Sequence, residues 1–232
     1  MNLSIRSNAK EFLDNDDIPF PDIKRNMEEL EVINRRLGGH AITIAGFKSL
    51  AKGKRELLVC EIGCGGGDNL VAIKKWCDNK RIHVTFQGVD IKEECIRFAR
   101  SRQELSNCTE FHSSDYRTAR LTKKPDIIFS SLFCHHFTGE ELQQQFRWMH
   151  QNSRMGFFIN DLHRHSLAYY SIKHLTKLFS RSYLVRNDAP LSVLRGFKKP
   201  ELQALLKQAG IMGASVEWKW AFRFLIVYAH GR

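Results

Sequence analysis

The sequence predicts an α/β protein with a Rossmann-like, mostly parallel sheet that carries helices on both faces. Three observations support this. An apolar run at 57–62 leads into a glycine-dense turn and then a helical pattern, which is typical of the first unit of a nucleotide-binding sheet. Further apolar runs at 83–90, 126–131 and 154–159 alternate with helical patterns, which favours parallel strands. Two last runs then predict a terminal hairpin, at 214–219 and 222–229.

Size and composition narrow the class of protein. At 232 residues the chain is one large domain, or one domain with an appendage, and its net charge of +11 favours a polyanionic partner, an anionic surface or only solubility. The first residues lack the apolar core of a signal peptide, and the longest apolar run is too short to span a bilayer. Six scattered cysteines without a C-x-x-C pair indicate reduced thiols, so we expect a cytoplasmic protein.

The first fifty residues predict a helical arm. Residues 1–20 show little periodicity and carry the acids Asp14, Asp16 and Asp17, which predicts a loose lead-in. A helix follows from Pro21 until Gly38-Gly39 ends it, and a second helix is predicted over 40–50. The expected division is therefore an arm over 1–50 and a main domain over 51–232.

A glycine turn follows the first strand, and we expect its backbone to bind a ligand; the alternative is a plain turn between strand and helix. Its pattern is E-x-G-x-G-x-G, beginning at Glu61, and the third glycine of a dinucleotide fingerprint is replaced by Asp68. No Gly-Lys-Ser/Thr follows, so a P-loop is excluded. Glycines at 63 and 65 allow positive φ and a close approach of the backbone to a ligand.

The second predicted strand, 83–90, ends in a second acid. Asp90 lies 23 residues beyond Gly67, close to the position at which nucleotide-binding sheets carry the acid that binds ribose. A carboxylate suits this role because it accepts hydrogen bonds from both ribose hydroxyl groups. A helix is predicted from Lys92 to about Leu105, and a short third strand follows near 108–113.

These motifs resemble motif I and the following acid of class I S-adenosylmethionine-dependent methyltransferases. The segment from Leu132 to His136 resembles their motif IV, and the segments 31–40 and 186–197 resemble a subgroup of bacterial small-molecule enzymes, with relatives among polyketide and quinone tailoring enzymes. The resemblance covers about residues 27 to 229. It implies a seven-stranded sheet with an antiparallel last strand.

The resemblance also implies which residues bind the cofactor. Glu61 would anchor the loop or the cofactor's ammonium group, and the loop backbone would hold its methionine part. Asp115 would accept from the adenine amine, with apolar cover from Tyr116, although Ser-Asp also favours a helix cap or a turn. The full expected set is Glu61, Gly63, Cys64, Gly65, Asp90, Ile91, Asp115, Tyr116 and Ser131.

Histidines follow the fourth and fifth strands. Because ligands lie beyond the carboxyl ends of parallel strands, we expect one crevice to collect His135, His136, Asp161, His163 and His165. A histidine there could take the acceptor's proton during methyl transfer, and the candidates are His136, His163 and His135. The alternatives are histidines that only hydrogen-bond, or a metal site. No H-x-x-x-H or cysteine partner supports a metal, so none is predicted.

Residues 160–200 form a basic insertion before the last strands. Eight basic residues stand against two acids, and a lid is expected over about 162–197, together with the helices of 21–50. The insertion could cap an aromatic substrate, lie on an anionic membrane surface, touch RNA phosphate, or only present a solvated cationic face.

Three functions fit these observations. The first is methyl transfer from S-adenosylmethionine to an oxygen or carbon of a small, aromatic or polyketide-like acceptor. The second is methylation of RNA, which the charge alone favours, although the D-P-P-Y or N-P-P-Y motif of base amino methyltransferases is missing. The third is a binding protein without turnover. The sequence does not predict the acceptor or the oligomeric state.

Overall fold

A computed structural model describes residues 3–15 and 17–231. The outer bounds of the two predicted domains, 1 and 232, and the acid Asp16 of the predicted lead-in lie outside the described residues. In the described part of the lead-in before α1, the only regular element is a 3₁₀ turn at Phe12–Asp14. Of the helices described, none is long and apolar enough to cross a membrane.

The secondary structure alternates as the sequence predicts. The strands are β1 Glu56–Ile62, β2 His83–Asp90, β3 Thr109–Ser113, β4 Ile127–Ser131, β5 Gly156–Leu162, β6 Ser215–Lys219 and β7 Arg223–Ala229. The helices are α1 Phe20–Arg36, α2 Gly39–Leu50, α3 Asp68–Lys80, α4 Glu93–Arg100, α5 Gly139–Asn152, α6 Ser166–Phe179, α7 Tyr183–Arg195 and α8 Lys199–Gln208. The helix predicted over 92–105 ends earlier, and a separate 3₁₀ turn covers Gln103–Leu105.

The strands form one seven-stranded sheet in the order β3-β2-β1-β4-β5-β7-β6. The first five pair in parallel, and β7 runs antiparallel to both β5 and β6. The chain reverses its direction of progress across the sheet between β1 and β4, and the carboxyl ends of strands flanking such a point form a ligand crevice. The predicted Rossmann-like fold with an antiparallel last strand is confirmed.

Both faces of the sheet are buried. Val59, Phe129 and Phe158 pack in the same cluster as residues of α2 and α3, while Cys60 and Phe157 pack in a cluster with residues of α5 and α8. Parallel strands covered on both faces need apolar side chains at nearly every position, which explains their continuous apolar runs. Since α2 contributes to this core, half of the predicted arm is part of the sheet's helical layer. The boundary at residue 50 stays a prediction.

Strand β5 is longer than its apolar run predicts. The run ends at Ile159, but Asn160 and Asp161 continue the strand and are fully buried. The Asn160 amide donates to the Gly39 carbonyl and to Thr43 Oγ1, each at 3.1 Å. Polar side chains are tolerated inside a sheet when tertiary partners satisfy them, and these partners are distant in sequence.

The basic insertion contains two helices, α6 and α7. Glu29 of α1 accepts hydrogen bonds from the backbone N–H groups of Arg181 and Ser182, at 3.0 and 3.1 Å. Ser182 then caps α7 through its hydroxyl, which accepts from the Val185 N–H group. The break between α6 and α7 is therefore stabilised by α1, to which the insertion is attached.

Candidate cofactor and acceptor site

A cavity of about 390 Å³ lies at the carboxyl ends of β1, β2 and β4. The glycine turn forms its floor, and α1 and the Phe12–Asp14 turn line its other side through residues that include Met27, Leu30, Leu13 and Asp14. The predicted residues on its wall are Gly63, Cys64, Gly65, Asp90, Ile91, Asp115, Tyr116, Ser131 and His136. Glu61, His135 and His163 are not among the wall residues.

Asp90 links the glycine turn to the end of β2. Its Oδ2 atom accepts from the Gly65 N–H group at 2.8 Å, and its Oδ1 atom accepts from the Lys92 N–H group at 2.9 Å. Burial raises the pKa of Asp90, against the effect of these two hydrogen bonds. Each carboxylate oxygen accepts more than one hydrogen bond, so this group can still receive donors from a ligand in the cavity.

The glycine turn presents bare backbone to the cavity. Gly63 and Gly65 have φ values of +66° and +49°. A Cβ atom at Gly63 would overlap the Phe133 ring, whereas a Cβ atom at Gly65 would project into open space within the cavity region. The turn therefore needs glycine at 63 for packing and leaves room at 65 for a ligand against the backbone.

Glu61 lies behind the turn. Its side chain is fully buried, and its Oε1 atom accepts from the Asn69 amide in the first turn of α3 at 3.1 Å. Its Oε2 atom has no partner among the described residues. Burial, together with the charge of Asp68, raises the pKa of Glu61 well above its usual range. This geometry ties β1 to α3 and leaves one acceptor atom unused.

The opposite end of the cavity is partly aromatic. Tyr116 packs edge-on against Phe133, Phe137 and Trp148, and burial raises its pKa to about 12. The Asp115 carboxylate accepts from Arg117 Nε at 3.0 Å, which lowers the pKa of Asp115. The Ile91 side chain is mostly exposed at this side of the cavity.

Two buried polar groups on the cavity wall lack a partner. Asn26 Nδ2 in α1 and the Ser114 hydroxyl after β3 make no hydrogen bond with the described residues. Buried polar groups are normally satisfied, so these two are expected to bind polar atoms of a ligand or solvent. Together with Asp90 and the bare turn, they fit a nucleoside-containing ligand.

A histidine pair stands at the exit of β4, where Leu132 adopts a φ of +53°. His135 is buried, and its Nδ1 atom lies 2.8 Å from Asp161 Oδ1. His136 lies on the cavity wall, and its Nδ1 atom lies 3.2 Å from Asp14 Oδ1. Backbone strain in a residue other than glycine concentrates at functional sites, which agrees with a working role for this loop.

The lead-in supplies acids that sequence reasoning missed. Glu11 is buried with its Oε1 atom 3.6 Å from His135 Nε2 and its Oε2 atom 3.9 Å from His136 Nε2. Arg195 of α7 donates to Asp14 Oδ2 at 3.0 Å and to the carbonyl groups of both histidines. No local pattern in the acidic lead-in distinguishes the acids that fold onto the site from those that do not.

Glu11, His135 and His136 bring their ligand atoms within 4.8 Å of one another and could in principle hold a metal ion. Two observations oppose it. The Arg195 Nε atom is 3.9 Å from Glu11 Oε1, and the Arg6 guanidinium donates to the His135 carbonyl at 3.1 Å. Guanidinium groups this close repel a further cation. That no metal binds here stays a prediction.

His163 and His165 do not join this pair. The His163 ring packs against Phe222 and Phe224, and its Nδ1 atom has no partner among the described residues. His165 stacks on Phe222 and caps α6. Burial, together with the charge of His165, lowers the pKa of His163. The predicted crevice thus collects His136 on its wall, with His135 and Asp161 directly behind it.

His135 predicts a pH dependence of stability. Burial alone lowers its pKa, but the carboxylates of Asp161 and Glu11 outweigh burial and raise the pKa from 6.5 to about 9. Protonated His135 therefore stabilises the fold fully below about pH 6.5, and this contribution is lost as the pH rises through about 9. We expect the Tm to fall steadily across that window.

Thermal melts of the parent and of His135→Asn at several pH values check this expectation. The variant should be less stable at pH 6 and should show a flatter pH profile, because asparagine does not titrate. The charged or titratable groups around His135 are Glu11, Asp161, His136, Arg6 and Arg195. Equal slopes for parent and variant would show that another group carries the dependence.

The sequence matches one family model. Residues 59–156, from β1 to the start of β5, match the model described as a methyltransferase domain. Together with the fold of the sheet, this match over less than half of the chain supports a class I methyltransferase that uses S-adenosylmethionine. No curated protein matches the sequence significantly.

Solved structures share the fold at low sequence identity. Magnesium protoporphyrin IX methyltransferase from Synechocystis PCC 6803, with bound S-adenosylhomocysteine, is 16% identical with a TM-score of 0.55, and 84% of this chain aligns with 82% of that one. Human N-acetylserotonin methyltransferase with S-adenosylmethionine is 15% identical with a TM-score of 0.64, over 92% of this chain and 57% of that chain. The plantazolicin methyltransferase, with a substrate analogue and S-adenosylhomocysteine, is 18% identical with a TM-score of 0.60, over 85% and 72%.

Proposed function

We propose that this methyltransferase transfers the methyl group to an oxygen or carbon of a small acceptor with an aromatic or polyketide-like ring, in the cytoplasm. The proposal rests on the position of His136, which lies on the wall of a mostly apolar cavity with its Nδ1 atom 3.2 Å from a carboxylate oxygen of Asp14. The similar structures named above include enzymes for a porphyrin, an acylated indole-ethylamine and an azole peptide, which supports a low-molecular-mass acceptor.

Residues of this chain divide the cavity between cofactor and acceptor. Asp90 would hold the ribose, the backbone of Gly63–Gly65 the methionine part, and Asp115 with Tyr116 the adenine. Glu61 would act from behind, through the turn it supports. S-adenosylmethionine, when bound, supplies an electrophilic methyl group on a sulfonium.

His136 is the candidate base. Asp14 lies at hydrogen-bond distance from its Nδ1 atom, so that atom donates and the Nε2 atom carries the free lone pair when the ring is neutral. The Nε2 atom is 3.9 Å from the nearest Glu11 oxygen, which is beyond hydrogen-bond distance. It can therefore take a proton from a hydroxyl group of the molecule that is methylated. For methylation at oxygen, His136 would take the hydroxyl proton of the small acceptor as the methyl group passes from sulfur to that oxygen, which leaves S-adenosylhomocysteine and a protonated His136.

The other two candidate histidines fit the base role less well. His135 is held protonated between Asp161 and Glu11 at neutral pH, so it has no lone pair to offer and fits a positioning role. His163 is packed among aromatic rings away from the cavity wall. We infer that His136 carries the proton transfer.

We propose that the lid consists of two layers. α1 and the Phe12–Asp14 turn line the cavity directly. The insertion 162–197 holds them in place: Asp188 accepts from the Phe12 and Leu13 N–H groups at 2.8 and 2.9 Å. We propose that α1 and the lead-in cover the cofactor while α7 fixes their position.

Methylation of RNA is less well supported. Of the eight basic residues in 160–200, Arg164 is buried against Glu201 and Arg195 is buried against Asp14. Arg186 donates to the Ser180 carbonyl. These three cations are bonded within the protein and stabilise the fold. Fewer basic residues are therefore free to bind RNA phosphate than the net charge of the insertion suggests.

Methyl-labelled S-adenosylmethionine tests the proposal. The purified protein is incubated with either the small-molecule extract or the RNA of the cells that carry the gene, and the label is traced. We expect labelled product in the small-molecule fraction. Label only in RNase-sensitive material would assign the protein to RNA, and S-adenosylhomocysteine binding without transfer in either fraction would indicate a binding protein without turnover.

A further inference from the structure

The outer side of α6 exposes an unusual number of large apolar side chains. Those of Leu178 and Phe179 are 73% and 78% exposed, and Leu167 and Tyr170 are 61% and 51% exposed. The opposite side of α6 is anchored by Ala168 and Thr176, which are buried. Contiguous exposed apolar surface of this kind normally marks an interaction site. We refer to Leu167, Tyr170, Leu175, Leu178 and Phe179 as the α6 face.

A groove of about 500 Å³ runs beside this face, between α1 and α6. Its apolar walls come from Val32, Ile33 and Leu37 on one side and from Ile172, Leu175 and Phe179 on the other. Leu175 and Phe179 belong to both surfaces. The α6 face therefore continues into a recess that is separated from the cofactor cavity by α1.

The charged residues of α6 itself are all positive. No acid occurs between Asp161 and Asp188, and both of these are buried. Lys173, Lys177 and Arg181 are exposed along the same segment. The nearest acids of α1 are engaged: Glu29 with the α6–α7 break, and Glu28 with Lys24. The partner of this face must be both apolar and anionic.

We propose that the α6 face docks on an anionic lipid bilayer surface. A helix with bulky apolar side chains on one side and lysines beside them lies in the interface, with its apolar groups among the acyl chains and its cations at the headgroups. Basic residues near an anionic surface strengthen such binding. A second copy of this chain fits less well, because a self-pairing would set Lys173, Lys177 and Arg181 of both copies close together. This docking does not depend on methyl transfer.

Co-sedimentation of the full chain with vesicles tests the proposal. Binding to vesicles of phosphatidylcholine with about 30% phosphatidylglycerol, an anionic lipid, is compared with binding to vesicles of pure phosphatidylcholine. We expect binding to the anionic vesicles that is at least about tenfold tighter than to neutral ones and that weakens with added salt.

Two variants and two matched controls separate the contributions. Leu178→Glu/Phe179→Glu should lose at least about tenfold in vesicle affinity, because both inserted groups are removed. Lys173→Glu/Lys177→Glu should lose a similar factor on anionic vesicles only. The controls are Met212→Glu, which alters another exposed apolar residue, and Lys52→Glu/Lys54→Glu, which makes the same charge change in the exposed loop before β1. The apolar control should keep parental affinity, and the charge control should change it by less than about threefold.

Retained binding of S-adenosylhomocysteine and an unchanged Tm show that each variant is folded. If the Lys52→Glu/Lys54→Glu control loses as much vesicle affinity as the Lys173→Glu/Lys177→Glu variant, binding depends only on net charge, and the proposal is overturned. Absence of vesicle binding by the parent would also overturn it. If the parent then self-associates and Leu178→Glu/Phe179→Glu restores the monomer, the α6 face belongs to a second copy.

Discussion

Replacing Asp90 by alanine is expected to weaken binding of S-adenosylhomocysteine by about 100-fold or more, because charge-assisted hydrogen bonds of a buried carboxylate contribute about 1.5–3 kcal/mol each. The substitution removes the proposed ribose acceptor. It also releases the Gly65 and Lys92 N–H groups, so the glycine turn loses its attachment to β2. Isothermal titration calorimetry of the parent and the variant measures the change directly.

Asp126→Ala is the matched control. Asp126 is also a buried acid at a strand end, and it accepts from the Leu58 N–H group at 2.9 Å and from Arg154, but at the opposite edge of the sheet. Its loss should lower the Tm without changing ligand affinity. Parental affinity in Asp90→Ala would contradict the assignment of the cofactor to the β1–β2 edge.

Replacing His136 by alanine is expected to lower kcat by about 10² to 10⁴, which is the usual contribution of a general base. Affinity for S-adenosylhomocysteine should change by less than about threefold, because His136 acts on the acceptor. The rate is measured with the acceptor recovered from the small-molecule extract. Asp14→Asn should give a smaller loss and a shifted pH profile, since Asp14 positions the ring.

His163→Ala provides the comparison, since His163 is a histidine from the neighbouring strand end that the sequence predicts equally well for this role. It should retain the parental kcat. If His163→Ala lost activity and His136→Ala retained it, the proton transfer would have to be reassigned to the β5 end. If both retained it, methyl transfer would proceed without a protein base.

The fold could be predicted because its signals are local. Residues 57–62 and 83–90 are largely apolar strand patterns with an acid, Glu61 or Asp90, at or next to the end, and the turn after the first carries glycines where the backbone adopts positive φ. The mostly parallel sheet and the terminal hairpin follow from the alternation of strand and helix patterns. The end of β5 could not be predicted, because Asn160 and Asp161 are polar and only partners from α2 and the β4 exit keep them in the strand.

The candidate site was predictable only in part. Asp90 and His136 follow strands whose carboxyl ends meet at one edge, so topology alone brings them near each other. Glu11, Asp14 and Arg195 reach the same place from a lead-in without periodicity and from a helix of the insertion. Glu11 and Asp14 are more than a hundred residues from the histidine pair in sequence, and Arg195 is about sixty residues away. No short-range spacing encodes such contacts.

The sequence by itself determined the layers of the sheet, the glycine turn and the acid of the second strand, because backbone conformation and burial pattern are properties of neighbouring residues. Only the tertiary structure decided which histidine faces the cavity and which is held protonated behind it. That choice depends on where Asp14, Glu11 and Asp161 come to rest. The protonation of each histidine depends on its distance in space from these carboxylates, and only the folded chain sets those distances.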